Sequence, residues 1–327
     1  MRWRSFIPLA ALIAGCSYAP PCRATTAQLT LTNDNDLWAF RRTDQDYSNL
    51  LQLDARVDVG WRAGGFRLLP GGGIGQVLYS PADLREERLA ALREDRPYAG
   101  WTFALAHLDA HADGIRYRVE LRAGILGPHA FGEETQSAWH STNRAPRPRG
   151  WQTAQLGDAL DLAVVPGAAV TVVRASLGDA WQTPLALDAT AEGRVEVGTL
   201  RVALAPALLF RIGALRARGA PPSLWAAGTP LPSDEPGREL FAFGGAEGRA
   251  SARDRVIDGD VCDGDGACGP TWVVRRPYVA DLHAGLGATV GPIQVHLAYV
   301  ARTPELSSPL GAARWQRFGR VAIGFAF

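Results

Sequence analysis

Strict alternation of apolar and polar residues is the pattern that most limits what this chain can fold into. Residues 115–123 alternate without a break, and three further segments follow the same pattern between stretches rich in Gly, Pro and Asp. These segments are residues 51–57, 185–197 and 293–299. A period of two residues is that of a β-strand with two different faces. In a soluble sandwich the apolar face forms the core, whereas in an outer-membrane barrel it faces lipid and the polar face lines the interior.

The C-terminal residues favour the barrel. Val321, Ile323, Phe325 and Phe327 alternate with small or polar residues, and a last strand that ends in an aromatic residue is typical of bacterial outer-membrane barrels. A closed barrel is also the only β-structure that leaves no unpaired backbone edge in lipid. The predicted fold is therefore all-β, a transmembrane antiparallel β-barrel of about 12 strands with a helical extracellular loop. The predicted strands lie near residues 26–34, 48–57, 73–80, 99–110, 115–126, 158–175, 184–197, 199–213, 238–250, 275–290, 292–302 and 314–327.

Two long segments interrupt the strand pattern. Residues 81–96 are polar and prone to form a helix, especially from Leu84 to Arg93, and residues 127–158 lack strand character. Both follow strands that run outward if residues 26–34 form the first outward strand. Long extracellular loops of barrels commonly carry their function.

The first residues have the pattern of an export signal. Basic Arg2 and Arg4 precede an apolar stretch at residues 6–14, and a small-x-small cleavage site ends at Ala24. We predict a signal peptide at residues 1–24 and a barrel domain at residues 25–327, in the bacterial outer membrane. The alternative is a lipoprotein signal with Cys16 as the lipidated residue.

Cys262 and Cys268 lie six residues apart in an Asp- and Gly-rich loop. In an oxidising compartment such a pair is expected to form a disulfide. An EF-hand count that starts at Asp258 places Gly269 where the bidentate Glu belongs, so the calcium-loop pattern fails there.

The charge balance disfavours a nucleic-acid partner. The chain has 34 basic residues, all of them Arg, against 33 acidic ones, with no basic tract. Arg suits phosphate and carboxylate groups through its planar guanidinium, so a phosphorylated partner fits this composition.

Four carboxylates fall within thirteen residues near the start of the predicted barrel: Asp34, Asp36, Asp44 and Asp46. Such crowding is unfavourable unless a cation lies among the carboxylates. The cluster therefore indicates a hard metal ion at a barrel rim, and the alternative is two polar strand ends with their turn.

One histidine stands apart from the others. His283 and His296 lie in strand patterns and are predicted to belong to the lumen or the wall, and His107 near a turn is predicted to be solvated. His140 lies in the long loop, four residues after Gln136, so a helix there would place both on one face. An imidazole in that setting can serve as a general base.

Short motifs recur along the chain in a fixed order, and together they resemble the lipid A 3′-O-deacylase family of outer-membrane barrels. They are Asn35-Asp36-Leu37-Trp38, Tyr47-Ser48-Asn49, Tyr79-Ser80-Pro81, Asp95-Arg96-Pro97-Tyr98-Ala99-Gly100-Trp101, Gly127-Pro128, and Gln136, His140, Gly150-Trp151 and Gln155-Leu156. The match is densest over residues 35–156.

The resemblance implies a calcium-dependent esterase whose active site lies on the outer rim and faces the outer leaflet. Its substrate would be lipopolysaccharide, from which the enzyme would remove the 3′-linked acyloxyacyl chain of lipid A. We expect the enzyme to be a monomer that lies among outer-membrane lipids. By similarity, His140 activates water, Asn35 and Asp36 organise the Ca²⁺ site, and Gln136 and Ser48 complete the polar surround. Calcium would polarise the ester carbonyl and stabilise the oxyanion. Asp44 and Asp46 then become turn residues.

The sequence departs from the family pattern at several points. The family's Tyr-Thr-Asn-Gly run is Tyr47-Ser48-Asn49-Leu50 here, which keeps a hydroxyl and loses a Gly. An acidic residue found beyond the histidine in some members falls near Pro146. A cation that follows Tyr-x-Pro in some members has only Arg85 or Arg88 as candidates.

Three basic residues of the long loop, Arg144, Arg147 and Arg149, are candidates for contact with lipid A phosphates or form a solvated charged loop.

Two other functions remain open from the sequence. Ser141 follows His140 directly and so brings a hydroxyl beside an imidazole, as in serine-type outer-membrane phospholipases. Adjacent residues rarely have the geometry that a nucleophile and its base need, and no Gly-x-Ser-x-Gly motif is present. The third possibility is a non-catalytic barrel, a channel or an adhesin, because a fold does not by itself establish a function.

Overall fold

The computed structural model describes residues 26–39, 45–180, 183–216, 222–225, 238–309 and 314–327. The predicted leader, residues 1–24, and Asp44 lie outside these ranges. The described residues form eighteen strands: β1 (Thr26–Asn35), β2 (Asp46–Asp58), β3 (Arg62–Ala63), β4 (Phe66–Ser80), β5 (Ala99–Ala112), β6 (Ile115–Leu126), β7 (Gln155–Leu156), β8 (Ala159–Ala180), β9 (Thr183–Gly198), β10 (Arg201–Ala214), β11 (Arg238–Asp254), β12 (Asp260–Cys262), β13 (Cys268–Pro270), β14 (Val274–Arg275), β15 (Tyr278–Val290), β16 (Ile293–Arg302), β17 (Leu306–Ser307) and β18 (Gln316–Ala326).

Twelve of these strands form one closed antiparallel barrel. Neighbouring strands pair in chain order through β2, β4, β5, β6, β8, β9, β10, β11, β15, β16 and β18, and β1 pairs with both β2 and β18. The last strand thus meets the first, with Gln28 opposite Ala326. The predicted 12-stranded barrel is confirmed.

The barrel has two different rims. We define the upper rim as the end where β1 finishes at Asn35 and β2 begins at Asp46. Both long interruptions of the sequence, residues 81–96 and 127–158, lie in connections between barrel strands at this rim. At the lower rim, β5 and β6 are joined by a two-residue turn at residues 113–114.

Side chains alternate between the two surfaces of the barrel wall as the sequence predicted. Arg116, Arg118 and Glu120 of β6 point inward and are buried, whereas Leu121 is 55% exposed on the outside. Exposed aliphatic and aromatic residues recur on the outer face of most strands, which is the surface that such barrels present to lipid. Examples are Leu29, Leu31, Leu53, Ile74, Leu162, Val195, Leu204, Leu240, Leu286, Leu297 and Ile323.

The lumen contains a network of ion pairs beside buried apolar and aromatic side chains such as Tyr47 and Phe103. Arg116 and Arg118 both donate to Asp109, at 3.1 Å each. His107, predicted to be solvated, is buried here, with its Nε2 3.0 Å from Asp54. That prediction was wrong because His107 lies on the inward face of β5, several residues before the turn.

A short segment between β10 and β11 enters the lumen. The Ser223 hydroxyl and the Leu224 amide both donate to the Glu192 carboxylate, the amide at 2.9 Å. The Trp225 ring lies beneath the guanidiniums of Arg118 and Arg194, whose carbons are 5.3 and 5.9 Å from its centroid. We call residues 223–225 the lumen segment.

The helices of the described residues lie at the upper rim. The helices are a 3₁₀ turn at Asp36–Ala39, α1 (Leu89–Arg93), a 3₁₀ turn at Pro128–Ala130, α2 (Gly132–Asn143) and α3 (Arg255–Asp258). No helix within the described ranges is long and apolar enough to cross a membrane. The predicted helical loop is confirmed by α2.

The helix predicted from Leu84 to Arg93 is shorter than expected. Only α1 forms, and Arg88 before it is extended. The Glu86 carboxylate accepts from the backbone amides of Glu87 and Arg88, at 3.0 and 2.9 Å. Such side-chain acceptors compete with helical hydrogen bonds, so the helix begins later.

The predicted disulfide is present. Cys262 and Cys268 are bonded and lie opposite each other where β12 pairs with β13. Strand β12 also pairs with β7, so the disulfide hairpin packs against the end of the long loop at residues 127–158.

Candidate functional site

The candidate site lies on the outer surface of the barrel wall, at the upper rim. In β1, four alternate side chains are buried toward the lumen: those of Gln28, Thr30, Thr32 and Asp34. Because successive side chains of a strand point to opposite faces, Asn35 faces the outside of the barrel. Asn35 is nevertheless only 4% exposed, and the next residue, Asp36, is 5% exposed.

A chain of hydrogen bonds connects the residues predicted from the sequence. The Asn35 amide donates to the Ser48 carbonyl at 3.4 Å, and the Ser48 hydroxyl donates to Ser80 Oγ at 2.9 Å. From the other side, Gln136 Nε2 donates to the same Ser80 oxygen at 2.9 Å, and Trp151 Nε1 donates to Gln136 Oε1 at 2.8 Å. Ser80 and Trp151 were not predicted as site residues, although both lie in motifs of the resemblance.

A β-bulge turns Ser48 toward Ser80. The register of β2 against β4 shifts between Tyr47 and Asn49. Tyr47 points into the lumen, where its hydroxyl donates to Asp34 at 2.9 Å, and Asn49 pairs with Asn35. The extra residue therefore places Ser48 on the outer side, a use of bulges that recurs beside active sites.

Helix α2 packs against the outer face of β4 and β5. Gln76 and Thr102 donate to the Ala130 carbonyl at 2.7 and 2.8 Å, just before α2 begins. A Cβ on Gly132 would lie 2.8 Å from Gly100 Cα, so these two glycines allow helix and strand to touch. Gly100 belongs to the Asp95–Trp101 motif, and close backbone approach explains its place there.

His140 lies one turn after Gln136, and both side chains are buried on α2, so the predicted shared face is present. His140 Nδ1 is hydrogen-bonded to the Pro146 carbonyl. A carbonyl only accepts, so Nδ1 carries the proton and Nε2 keeps its lone pair in the neutral ring. The Pro146 carbonyl thus lies where the resemblance leads one to expect an acid.

The turn after α2 is fixed by the backbone. Arg144 adopts a left-handed conformation (φ 54°), and the Ala145 amide donates to the His140 carbonyl at 2.9 Å. This geometry brings Pro146 back against the imidazole.

Two members of the acidic cluster are neutralised by Arg rather than placed for a metal. Both Asp34 oxygens accept from Arg320 at 2.7 Å. Asp46 contacts Arg314 at 3.3 Å and Arg96 at 3.5 Å. The third described carboxylate of the cluster, that of Asp36, lies next to Asn35 and is 5% exposed.

The oxygens at Asn35 and Asp36 are of the type that calcium prefers. The Asn35 side-chain oxygen already accepts from the Leu37 amide at 2.8 Å and retains a second lone pair. Within the described ranges no group of three or more His, Cys, Asp or Glu is arranged to hold a metal. A cation here would thus have one carboxylate, amide and hydroxyl oxygens, and water as ligands.

Buried ion pairs stabilise the rim beside the site. Arg96 is fully buried and pairs with Asp46 and Glu305. Burial disfavours the charged form of Glu305, but the guanidiniums of Arg302, Arg96 and Arg249 outweigh it and hold the pKa of that carboxyl well below its usual range. The Arg of the Asp95–Trp101 motif therefore fastens residues 81–98 to the barrel.

The serine next to His140 is not arranged as a nucleophile. Ser141 is exposed, and its hydroxyl donates to the Ala138 carbonyl at 2.8 Å on its own helix. This geometry disfavours the serine-type phospholipase.

Comparison with known proteins gives one family and a group of barrels. A family model described as outer membrane protein LpxR matches residues 6–327. The structure of LpxR from Salmonella typhimurium is similar, with a TM-score of 0.75 and 18% identity, covering 91% of this chain and 99% of that one. The beta domain of the Bordetella autotransporter Brka gives a TM-score of 0.43 at 12% identity, covering 93% of this chain and 99% of that one. No curated protein sequence matches this chain.

Proposed function

Since this chain belongs to the LpxR family, the lipid A 3′-O-deacylases of the outer membrane, we propose that it is a calcium-dependent esterase. It removes the 3′-linked acyloxyacyl chain of lipid A in lipopolysaccharide, and His140 is its general base.

One observation carries this proposal. The hydrogen-bond chain from Asn35 through Ser48 and Ser80 to Gln136 places the polar groups of four separate elements together, with His140 one helical turn away. These hydrogen-bonded side chains lie on the outer face of the barrel wall, at the rim where the long loops are. That location supports an active site open to the outer leaflet rather than to the lumen.

The reaction needs one proton carrier. Nε2 of His140 accepts a proton from water as the water oxygen attacks the ester carbonyl carbon. The imidazolium then returns that proton to the sugar oxygen as the ester C–O bond breaks, and the fatty acid leaves. The Pro146 carbonyl holds the Nδ1 proton in both steps, so the ring keeps its orientation.

Asn35 and Asp36 would hold the calcium ion, and Ser48 and Gln136 would complete the polar surroundings of that ion. When bound, calcium supplies polarisation of the ester carbonyl and stabilisation of the oxyanion.

The test is mass spectrometry of lipid A from cells with and without the protein, with purified protein assayed in calcium and in chelator. We expect loss of the 3′ acyloxyacyl chain, abolition of activity by chelator and recovery on added calcium. His140→Ala should lower the rate by about 100-fold or more, since general-base catalysis contributes that much. An unchanged acyl pattern with an inserted barrel would disprove the deacylase, and activity indifferent to chelator would disprove the calcium mechanism.

A further inference from the structure

Two arginines that follow His140 in the chain have no acidic partner in the part of the chain that the structure describes. Arg144 and Arg147 are exposed and flank Pro146 in the chain. Their guanidiniums form no hydrogen bond or ion pair with any residue in the described ranges. Arg149, by contrast, donates to Glu87 at 3.3 Å. The run therefore presents two available cations and one that is already paired.

The neighbouring acids are occupied. The Arg149 amide donates to the Leu84 carbonyl at 2.8 Å, which brings residues 84–88 alongside the run. In that segment the Glu86 carboxylate is paired with Arg88 at 2.7 Å, and Glu87 is paired with Arg149. Glu86 and Glu87 are therefore each paired with an arginine other than Arg144 and Arg147.

The two cations belong to the turn that orients the base. Arg144 ends α2 four residues after His140, which is about 6 Å along a helix axis. The carbonyl between Arg144 and Arg147, that of Pro146, accepts from His140 Nδ1. The two arginines therefore belong to the same turn as the carbonyl that orients the imidazole.

A helix C-terminus explains part of this arrangement. Cations near the last turn are stabilised by roughly 0.3–1 kcal/mol through the helix dipole. That effect needs only one cation, and it does not explain why two remain unpaired when nearby arginines have carboxylate partners.

We propose that Arg144 and Arg147 bind the 4′-phosphate of lipid A and so position its sugar against His140. This inference rests on the proposed deacylase function. In lipid A the 3′ ester and the 4′-phosphate are on adjacent carbons of one ring, which matches the one-turn spacing between the base and Arg144. Guanidinium groups bind phosphate through paired, charge-assisted hydrogen bonds.

The test compares two synthetic substrates, lipid A with both phosphates and an analogue that lacks only the 4′-phosphate. The R144Q/R147Q variant should lose roughly 10- to 100-fold in kcat/KM on the phosphorylated substrate, the value of one or two charge-assisted bonds. On the analogue it should match the wild-type protein within about twofold. R149Q, which removes an arginine that is already paired, is the matched control and should behave like wild type on both substrates.

Two results would overturn the proposal. Equal losses on both substrates would mean that the arginines only support the turn, and no loss on either would mean that they do not meet the phosphate. Native mass spectrometry of bound lipid A provides a readout without turnover. If wild type deacylates neither substrate, the enzyme assignment fails, whereas preferential binding of the phosphorylated lipid that is lost in R144Q/R147Q would still support the phosphate contact. Equal binding of both lipids would refute it.

Discussion

Ser80 is the residue on which the two halves of the site converge. Its Oγ accepts from both the Ser48 hydroxyl and the Gln136 amide, and all three side chains are buried. Ser80→Ala would leave two buried donors without this acceptor, at about 1–3 kcal/mol each. We expect deacylation to fall by roughly tenfold or more while the barrel still assembles. Mass spectrometry of lipid A measures deacylation, and heat-dependent gel mobility measures barrel assembly.

Ser141→Ala is the matched control for Ser80→Ala. Ser141 is exposed and donates only to Ala138 of its own helix, so its loss should change activity by less than about twofold. Full activity of Ser80→Ala would show that the hydrogen-bond chain is dispensable. Loss of activity in Ser141→Ala would restore the serine mechanism.

At the scale of residues, the sequence predicted side chains of the site but not the groups to which they are hydrogen-bonded. Asn35, Ser48 and Gln136 were named from the motifs, and the structure connects them through Ser80. Ser80 was missed because its role depends on a bulge in β2, and only two residues of that strand precede the bulge, too few to show the change of phase in the alternation. The contact between His140 and Pro146 arises from a left-handed residue, Arg144, for which the sequence has no glycine signal.

At the scale of elements, the seating of α2 on the barrel wall depends on two glycines. A Cβ on Gly132 would meet the Trp151 ring at 2.7 Å and Gly100 Cα at 2.8 Å. Gly132→Ala should push the start of α2 off β5 and lower activity by roughly tenfold, even though Ala favours a helix by up to about 1 kcal/mol. The measurements are deacylation rate and protease sensitivity of the long loop.

Gly193→Ala is the control for Gly132→Ala. Gly193 lies in β9 with no atom within 4 Å of the added Cβ, so this variant should keep wild-type activity. Unchanged activity in Gly132→Ala would show that α2 tolerates displacement from the wall.

Element bounds were predicted closely where alternation is continuous and less well where glycine interrupts it. Strand β6 was predicted at its observed bounds. Strand β4 begins at Phe66 rather than near residue 73, because its three consecutive glycines have the composition of a turn. One of them, Gly71, lies where a Cβ would come within 2.3 Å of His107, so the glycine makes room for a lumen side chain.

At the scale of the whole molecule, the barrel carries its candidate site on the outer face of the wall and has ion pairs in its lumen. Its lumen pairs join residues far apart in sequence, such as Arg320 with Asp34. The sequence predicted a charged lumen, but the choice of partners depends on strand stagger, which composition does not determine. The lumen side chains also bear on the channel alternative, since a channel needs a continuous aqueous path.

The lumen segment gives a test of that alternative. Trp225 packs under Arg118 and Arg194, and Glu192 binds the two residues before it, so wild-type protein in a planar bilayer should show no stable conductance steps. Trp225→Ala combined with Glu192→Gln removes the ring and weakens its anchor, and it should produce flickering conductance while lipid A deacylation stays within about twofold. Trp139→Ala is the control, because that tryptophan is 48% exposed on α2 and contributes nothing to the lumen. Porin-like conductance in the wild-type protein would support the channel and contradict a closed barrel.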